Sequence, residues 1–132
     1  MAQDVLVMGY EEDGKLLIEL VRATGLPITK AFWAKLSDGG WCLYFVSPLV
    51  DENGGRPALQ VILPLHRQHP ELAIDPFDVG VLGLRDGITQ SIDEIQKSKP
   101  FARPIRVRGG TLGGRDLEEA YIYPPLAPMP TA

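Results

Sequence analysis

The apolar residues between positions 11 and 24 follow a helical spacing. Four of them fall on one helical face: Leu16, Leu17, Leu20 and Val21. Acidic residues gather at the start of this stretch, where the helix dipole favours negative charge. Gly25 can adopt the left-handed conformation that ends a helix, and Pro27 blocks any continuation. The pattern predicts a first helix over 11–24.

Two runs rich in aromatic and β-branched residues, 28–36 and 41–48, flank the turn-forming residues 37–40. This arrangement predicts a β-hairpin. In the second run Trp41, Leu43 and Phe45 alternate with residues that are also mostly apolar. Both faces of that strand should therefore be covered, which predicts a central position in a sheet.

A predicted loop over 51–55 leads to Pro57, which is a favoured first residue of a helix, and apolar residues continue to Leu65. Pro64 removes a helical hydrogen bond, so a helix bent near this residue competes with an extended segment over 59–63. The bent helix is the preferred interpretation. It corresponds to the second of three predicted helices.

The short apolar run 78–84 predicts a buried strand, and the residues 85–87 predict a turn. Ile88, Ile92 and Ile95 then repeat at helical spacing until Pro100 prevents more helix. The runs 104–108 and 116–123 predict a final hairpin around a glycine-rich connection, 109–114, expected to be too flexible for regular structure. The proline-rich residues 124–132 predict an extended or disordered tail.

These elements predict an α+β fold, with one globular domain over 1–123 and the order α-β-β-α-β-α-β-β. We expect a mixed or antiparallel sheet of about five strands with three helices packed against it. The core should be anchored by large apolar residues from all parts of the chain, namely Phe32, Trp33, Trp41, Leu43, Phe45, Val81, Ile92, Ile95 and Tyr121.

Composition narrows the class of protein. The 132 residues are 45% apolar and 23% charged, which is typical of a globular domain. The lone cysteine, Cys42, cannot form an intramolecular disulfide and favours a reducing compartment. The first ten residues lack the pattern of a signal peptide, and no run of apolar residues is long enough to span a membrane. We therefore expect a cytoplasmic protein with no membrane association.

Positive charge is concentrated late in a chain whose net charge is −4. Six basic residues occur over 97–115 with no acid among them: Lys97, Lys99, Arg103, Arg106, Arg108 and Arg115. If Arg106, Arg108 and Arg115 share one face of the last hairpin, they form a cationic ridge for an acidic protein or a nucleic acid. The alternative is a solvated edge whose charges discourage strand-to-strand aggregation.

Glu118 and Glu119 are adjacent on the last strand, so they should point to opposite faces and cannot work together as an acid–base pair. The one that points inward could form an ion pair with Arg106 or Arg108 across the hairpin. Such a pair would reduce the free charge of the ridge.

A weaker pattern concerns metal ions. His66 and His69 stand three residues apart and could converge on a metal with Asp51 or Asp75 as a further ligand. Two exposed histidines at a helix end are the simpler interpretation. Residues 51–55 lack the bidentate acid of an EF-hand, because Ile62 occupies the twelfth loop position.

Other catalytic patterns are absent from the sequence. The glycine-rich residues 109–114 are followed by a strand and not by the Lys-Ser/Thr and helix of a phosphate loop. Cys42 lies within an apolar strand, and Ser47 precedes Pro48 without a nucleophile elbow. Neither has a base at a recognisable spacing.

These observations lead to two hypotheses of different classes. The first is a non-catalytic binding module without a cofactor, acting as a homodimer or with a protein partner, or more weakly with nucleic acid. Its predicted contact residues are Arg103, Arg106, Arg108 and Arg115. The second is a small metal-dependent hydrolase or nuclease that uses Asp51, Glu52, His66 and His69.

Three phrases of the sequence carry a resemblance to known proteins: Ala-Phe-Trp at 31–33, Ser-Pro-Leu-Val-Asp-Glu at 47–52 and Glu-Glu-Ala-Tyr-Ile-Tyr-Pro-Pro at 118–125. With them the chain resembles a family of short bacterial hypothetical proteins of unassigned function. The resemblance implies a stand-alone bacterial domain and assigns no site residue. The sequence departs from it at Pro64, where an uninterrupted helix is expected.

Overall fold

A mixed β-sheet separates two hydrophobic layers in the computed structural model, which describes residues 8–37, 39–98 and 103–126. The helices are α1 (Met8–Ala23), α2 (Pro48–Asn53), α3 (Arg56–Arg67) and α4 (Gly87–Ser98). The strands are β1 (Lys30–Leu36), β2 (Trp41–Val46), β3 (Val79–Leu82), β4 (Ile105–Arg108), β5 (Thr111–Leu112) and β6 (Arg115–Ile122). A 3₁₀ turn, Pro76–Asp78, precedes β3.

The strand order is β3-β2-β1-β6-β4, with β5 paired to the other end of β6. Only the β2–β3 pair is parallel among the described strands. β2 therefore lies inside the sheet, as its two apolar faces predicted. The α+β single-domain fold and the approximate order of its elements are confirmed.

Each face of the sheet packs against helices. On one face Leu17 and Val21 of α1 and Ile62 of α3 cover the apolar side chains of β1 and β2. On the other face Ile88 and Ile92 of α4 cover a cluster that contains Phe32 and residues of β6. Most predicted core anchors are buried. Val81, Ile95 and Tyr121 are half-buried at the margins of these clusters.

Two segments differ from the prediction. Part of the predicted loop 51–55 belongs to α2, whose amino end is capped because Ser47 Oγ accepts a hydrogen bond from Leu49 N at 3.2 Å. The glycine-rich connection contains strand β5. Gly109, Gly110, Gly113 and Gly114 all have positive φ, which allows a tight turn on each side of the short strand.

Pro64 lies inside α3, so the extended alternative for 59–63 is wrong. α3 continues beyond this residue to Arg67. The predicted tail begins with residues 124–126, which have no regular structure, and its remainder, 127–132, lies outside the described residues. Among the described residues, none of the helices has the length and apolar character needed to cross a membrane.

A chain of hydrogen bonds holds α1 on the sheet. Trp33 Nε1 donates to Tyr123 Oη at 3.1 Å, and Tyr123 Oη donates to the carbonyl oxygen of Glu11 at 2.6 Å. The helix approaches so closely here that a Cβ atom at Gly14 would lie 2.3 Å from Tyr123 Oη and 2.8 Å from Trp33 Nε1. Glycine is therefore required by the packing at this position.

We predict that Gly14→Ala lowers the free energy of unfolding by about 1–3 kcal/mol, because the added methyl group separates α1 from the sheet. Gly9→Ala is the matched control, since a Cβ atom at Gly9 meets nothing within 4 Å. That control should leave stability unchanged or raise it by up to about 1 kcal/mol, as alanine favours helix. Urea unfolding measures both, and a Gly14→Ala protein as stable as wild type would contradict the packing argument.

Candidate functional site

The predicted cationic ridge is partly neutralised within the protein. Arg106 Nη1 lies 2.8 Å from Glu119 Oε2, and Arg106 Nη2 also pairs with the carboxylate of Glu11. The guanidinium carbon lies 5.2 Å from the centre of the Tyr121 ring. The side chain of Glu119 is only 9% exposed. The predicted inward glutamate and its ion pair across the hairpin are therefore present.

The remaining arginines of the prediction do not gather on one surface. Arg108 stands beside Arg106 on β4 with its side chain 79% exposed, and its Nε is 3.8 Å from Glu119 Oε1. Arg115 borders a hollow on the opposite side of the sheet with Leu36 and Tyr44. Arg103 is exposed before β4. The structure thus brings Arg106 and Arg108 together and places Arg115 apart from them.

The residues of the metal hypothesis are separated by their structural roles. Asp51 accepts hydrogen bonds from Leu84 N at 2.6 Å and Arg85 N at 3.0 Å, and these bonds hold the pKa of its carboxyl below the usual range. Glu52 is exposed on α2. Through its two hydrogen bonds, Asp51 holds the backbone of Leu84 and Arg85 in the turn that follows β3.

Neither histidine faces these acids. His66 is buried with Nε2 2.5 Å from the carbonyl oxygen of Ile74, whereas His69 Nδ1 lies 3.0 Å from Glu71 Oε2. The expectation of two exposed histidines is wrong for His66, because α3 continues past Pro64 and turns it inward. Over residues 8–37, 39–98 and 103–126, no three side chains of His, Cys, Asp or Glu gather closely enough to hold a metal ion.

The candidate nucleophiles are also engaged in structure. Burial raises the pKa of the Cys42 thiol to about 11, so very little thiolate exists at neutral pH. Ser47 is 1% exposed, and its hydroxyl oxygen caps α2. These environments do not activate either side chain for attack on a substrate.

A cleft that the sequence did not indicate opens at the end of the β1–β2 hairpin. It has a volume of about 690 Å³ and lies between the first turn of α1, the hairpin and the segment that precedes β3. Three aromatic side chains, Tyr10, Trp33 and Trp41, form part of its lining. Its charged residues are Lys35, Asp75, Asp78 and Glu118.

The aromatic lining is positioned by the fold. Trp33 is 2% exposed and is held by its hydrogen bond to Tyr123. Tyr10 meets it edge to face, with the ring centres 6.1 Å apart and the planes at 75°. Trp41 begins β2, and its buried Nε1 has no hydrogen-bond partner within the part of the chain that the structure describes. The lining is thus rigid on the sheet side.

The cleft has an excess of negative charge. Lys35 Nζ lies 3.1 Å from Glu118 Oε2, so this pair is approximately neutral. Asp75 Oδ1 accepts a hydrogen bond from Phe77 N at 2.8 Å, which fixes its carboxylate at the start of the 3₁₀ turn. Burial, together with the nearby carboxylate of Asp75, raises the pKa of Asp78. With three acids and one lysine, the lining therefore has a formal charge of −2.

Comparisons with known proteins do not assign this site. No family model matches the sequence, and neither the curated proteins nor the solved structures include a significant match. The resemblance to short bacterial proteins therefore stays a prediction.

We predict that Glu119→Ala lowers the free energy of unfolding by about 1–3 kcal/mol, because Arg106 then loses a nearly buried, charge-assisted partner. The neighbouring substitution Glu118→Ala is the control. Glu118 is 50% exposed where it pairs with Lys35, so its loss should cost less than about 1 kcal/mol. Thermal or urea unfolding of the two variants shows whether the ion pair of Arg106 with Glu119 stabilises the hairpin. Equal, small effects would show that Arg106 is not held by Glu119.

Proposed function

We propose that this protein is a non-catalytic binding module whose cleft takes a small organic cation, of the alkylated ammonium type. The observation that carries the proposal is the convergence of Tyr10, Trp33 and Trp41 with the carboxylates of Asp75 and Asp78 on one cleft of about 690 Å³. The volume falls within the range of small-molecule sites.

The chemistry of the lining favours this ligand class. Aromatic faces attract cations through their quadrupoles, and alkylated ammonium groups are the cations that are desolvated at least cost. Asp75 and Asp78 are exposed neighbours, and the carboxylate of Asp75 helps to raise the pKa of Asp78. A bound cation relieves the repulsion between the two charges. An anionic ligand would meet the same carboxylates unfavourably.

The other hypotheses have less support. A nucleic acid or acidic protein at the basic hairpin would have to compete with Glu119 and Glu11 for Arg106. A metal-dependent hydrolase would need ligands that converge, whereas Asp51 and His66 hold backbone groups in different places. A cytoplasmic location is part of the proposal and rests on the lone cysteine, Cys42, which favours a reducing compartment. A bacterial origin rests on the resemblance.

We predict that choline binds in the cleft and changes the tryptophan fluorescence, because Trp33 and Trp41 are the only two tryptophans of the sequence and both line the site. The neutral carbon isostere dimethylbutanol should bind at least about tenfold more weakly, since it lacks the charge that the rings and carboxylates attract. Fluorescence titration and calorimetry measure both ligands.

The variant Asp75→Asn, Asp78→Asn should lower choline affinity at least about tenfold, because it removes both carboxylates while asparagine can still cap the turn. Glu52→Gln, Glu94→Gln is the matched control, which removes two exposed charges outside the cleft. Equal binding of choline and dimethylbutanol, or equal losses in the two double variants, would contradict a cation site.

We also predict that choline affinity falls as the pH is lowered from about 7 to about 4. The carboxyl of Asp78 has a raised pKa in the free protein, so affinity is fully present above that pKa and is lost as the pH falls through it. In Asp78→Asn the decline should begin at lower pH. Calorimetric titrations at several pH values test this, and a pH-independent affinity would show that the carboxylates do not contact the ligand.

A further inference from the structure

The cleft is much larger than the cationic group that we propose for it. Its volume of about 690 Å³ suits a ligand of many atoms, whereas an alkylated ammonium group fills only a small part of it. The cation should therefore be one end of a longer ligand. A methylated lysine side chain has this form, because it carries its alkylated ammonium group on an apolar stem.

The cleft meets one edge of the sheet. Asp78, which lines the cleft, directly precedes Val79, the first residue of β3. β3 pairs with β2 on one side, and no second strand pairs with it within residues 8–37, 39–98 and 103–126. All four residues of β3 are half-buried, so the strand is partly open to solvent. A ligand held in the cleft can therefore continue along this edge.

The free edge offers backbone groups for hydrogen bonds. The carbonyl oxygen of Leu82 accepts a hydrogen bond from Ser47 N at 3.0 Å, on the side of β2. Since successive residues of a strand direct their backbone groups to opposite sides, the N–H and C=O groups of Val81 point to the free edge. Val79 directs its groups to the same edge, where its N–H bonds the carbonyl oxygen of Pro76. An added strand would pair with Val81.

The other edge of the sheet resists such an addition. β4 carries Arg106 and Arg108 and is preceded by Pro104, all of which hinder the pairing of another strand. β3 has the sequence Val-Gly-Val-Leu, without a charge or a proline. A peptide that adds to the sheet should therefore choose β3.

Building on the proposed function, on which this step rests, we infer that the cleft binds a methylated lysine side chain of an extended basic peptide whose backbone adds to β3. The charge of the surroundings favours this occupant. The lining of the cleft has a formal charge of −2. Both ends of β3 are net acidic, with Asp75 and Asp78 before the strand and Asp51 and Asp86 beside Arg85 after it.

The two contacts act together. Addition of a strand supplies hydrogen bonds that do not depend on the peptide sequence, whereas the cleft selects the side chain. A four-residue edge strand offers few such bonds, and a lone cation leaves most of the cleft unfilled. Because the peptide links both contacts, each raises the effective concentration of the other, and the linked ligand binds more tightly than either part alone.

Calorimetric titration of the full chain tests the inference. The probe is a short peptide of arginine and threonine residues with blocked ends and one trimethyl-lysine at its centre. It should bind at least about tenfold more tightly than blocked trimethyl-lysine alone, because the backbone contacts add to those of the cation. The same peptide with unmethylated lysine should bind at least about tenfold more weakly, since a primary ammonium group is more costly to desolvate.

Backbone methylation of the peptide tests the strand addition without changing the protein. Two further peptides carry methyl groups on alternate backbone nitrogens, in one or the other phase, and keep every side chain and charge. Alternate residues of a strand direct their N–H groups to opposite edges. One phase should therefore weaken binding at least about tenfold, whereas the other should change it by less than about threefold.

Hydrogen exchange locates the added strand. The amide of Val81 should exchange more slowly when the trimethyl-lysine peptide is bound, because its N–H group then has a partner. The amides of Ile105–Arg108, on the opposite edge of the sheet, are the internal control and should not change.

The outcomes separate this inference from the proposed function. If neither choline nor any peptide binds, both are overturned. If choline binds and the peptide binds no more tightly than blocked trimethyl-lysine, the inference is overturned and the cation site stands. Peptide binding that ignores lysine methylation, or that weakens equally with both phases of backbone methylation, would also overturn the inference.

Discussion

The hydrogen bonds from Trp33 to Tyr123 and from Tyr123 to the Glu11 carbonyl fix α1 against the centre of the sheet. Other features depend on this attachment. It places Tyr10 against Trp33 and so builds one wall of the cleft. It also brings the Glu11 carboxylate to Arg106, which closes the ion-pair cluster on β4 and β6. Hydrogen bonds inside an apolar layer fix a helix in this way, because their donors and acceptors are all satisfied in only one arrangement of helix and sheet.

The fold was largely readable from the sequence, since helices and strands leave periodic patterns. The hairpin 30–46 and the helix Gly87–Ser98 are marked by spacing and by turn residues over their whole length. α2 has six residues and β5 has two, which is too few for a period to show. In these cases only the local chemistry, a capping serine before a proline and glycines around a short strand, could have indicated the structure.

The site was much less predictable. The pair of Arg106 with Glu119 could be expected, because Glu119 lies on the neighbouring strand opposite Arg108 and diagonal to Arg106. The pair of Arg106 with Glu11 could not, since it joins residues 95 positions apart. The cleft draws its lining from Tyr10 to Glu118, and its tryptophans were expected simply as core residues. Their position in the lining of the cleft depends on where the sheet ends, and no local sequence pattern indicates that.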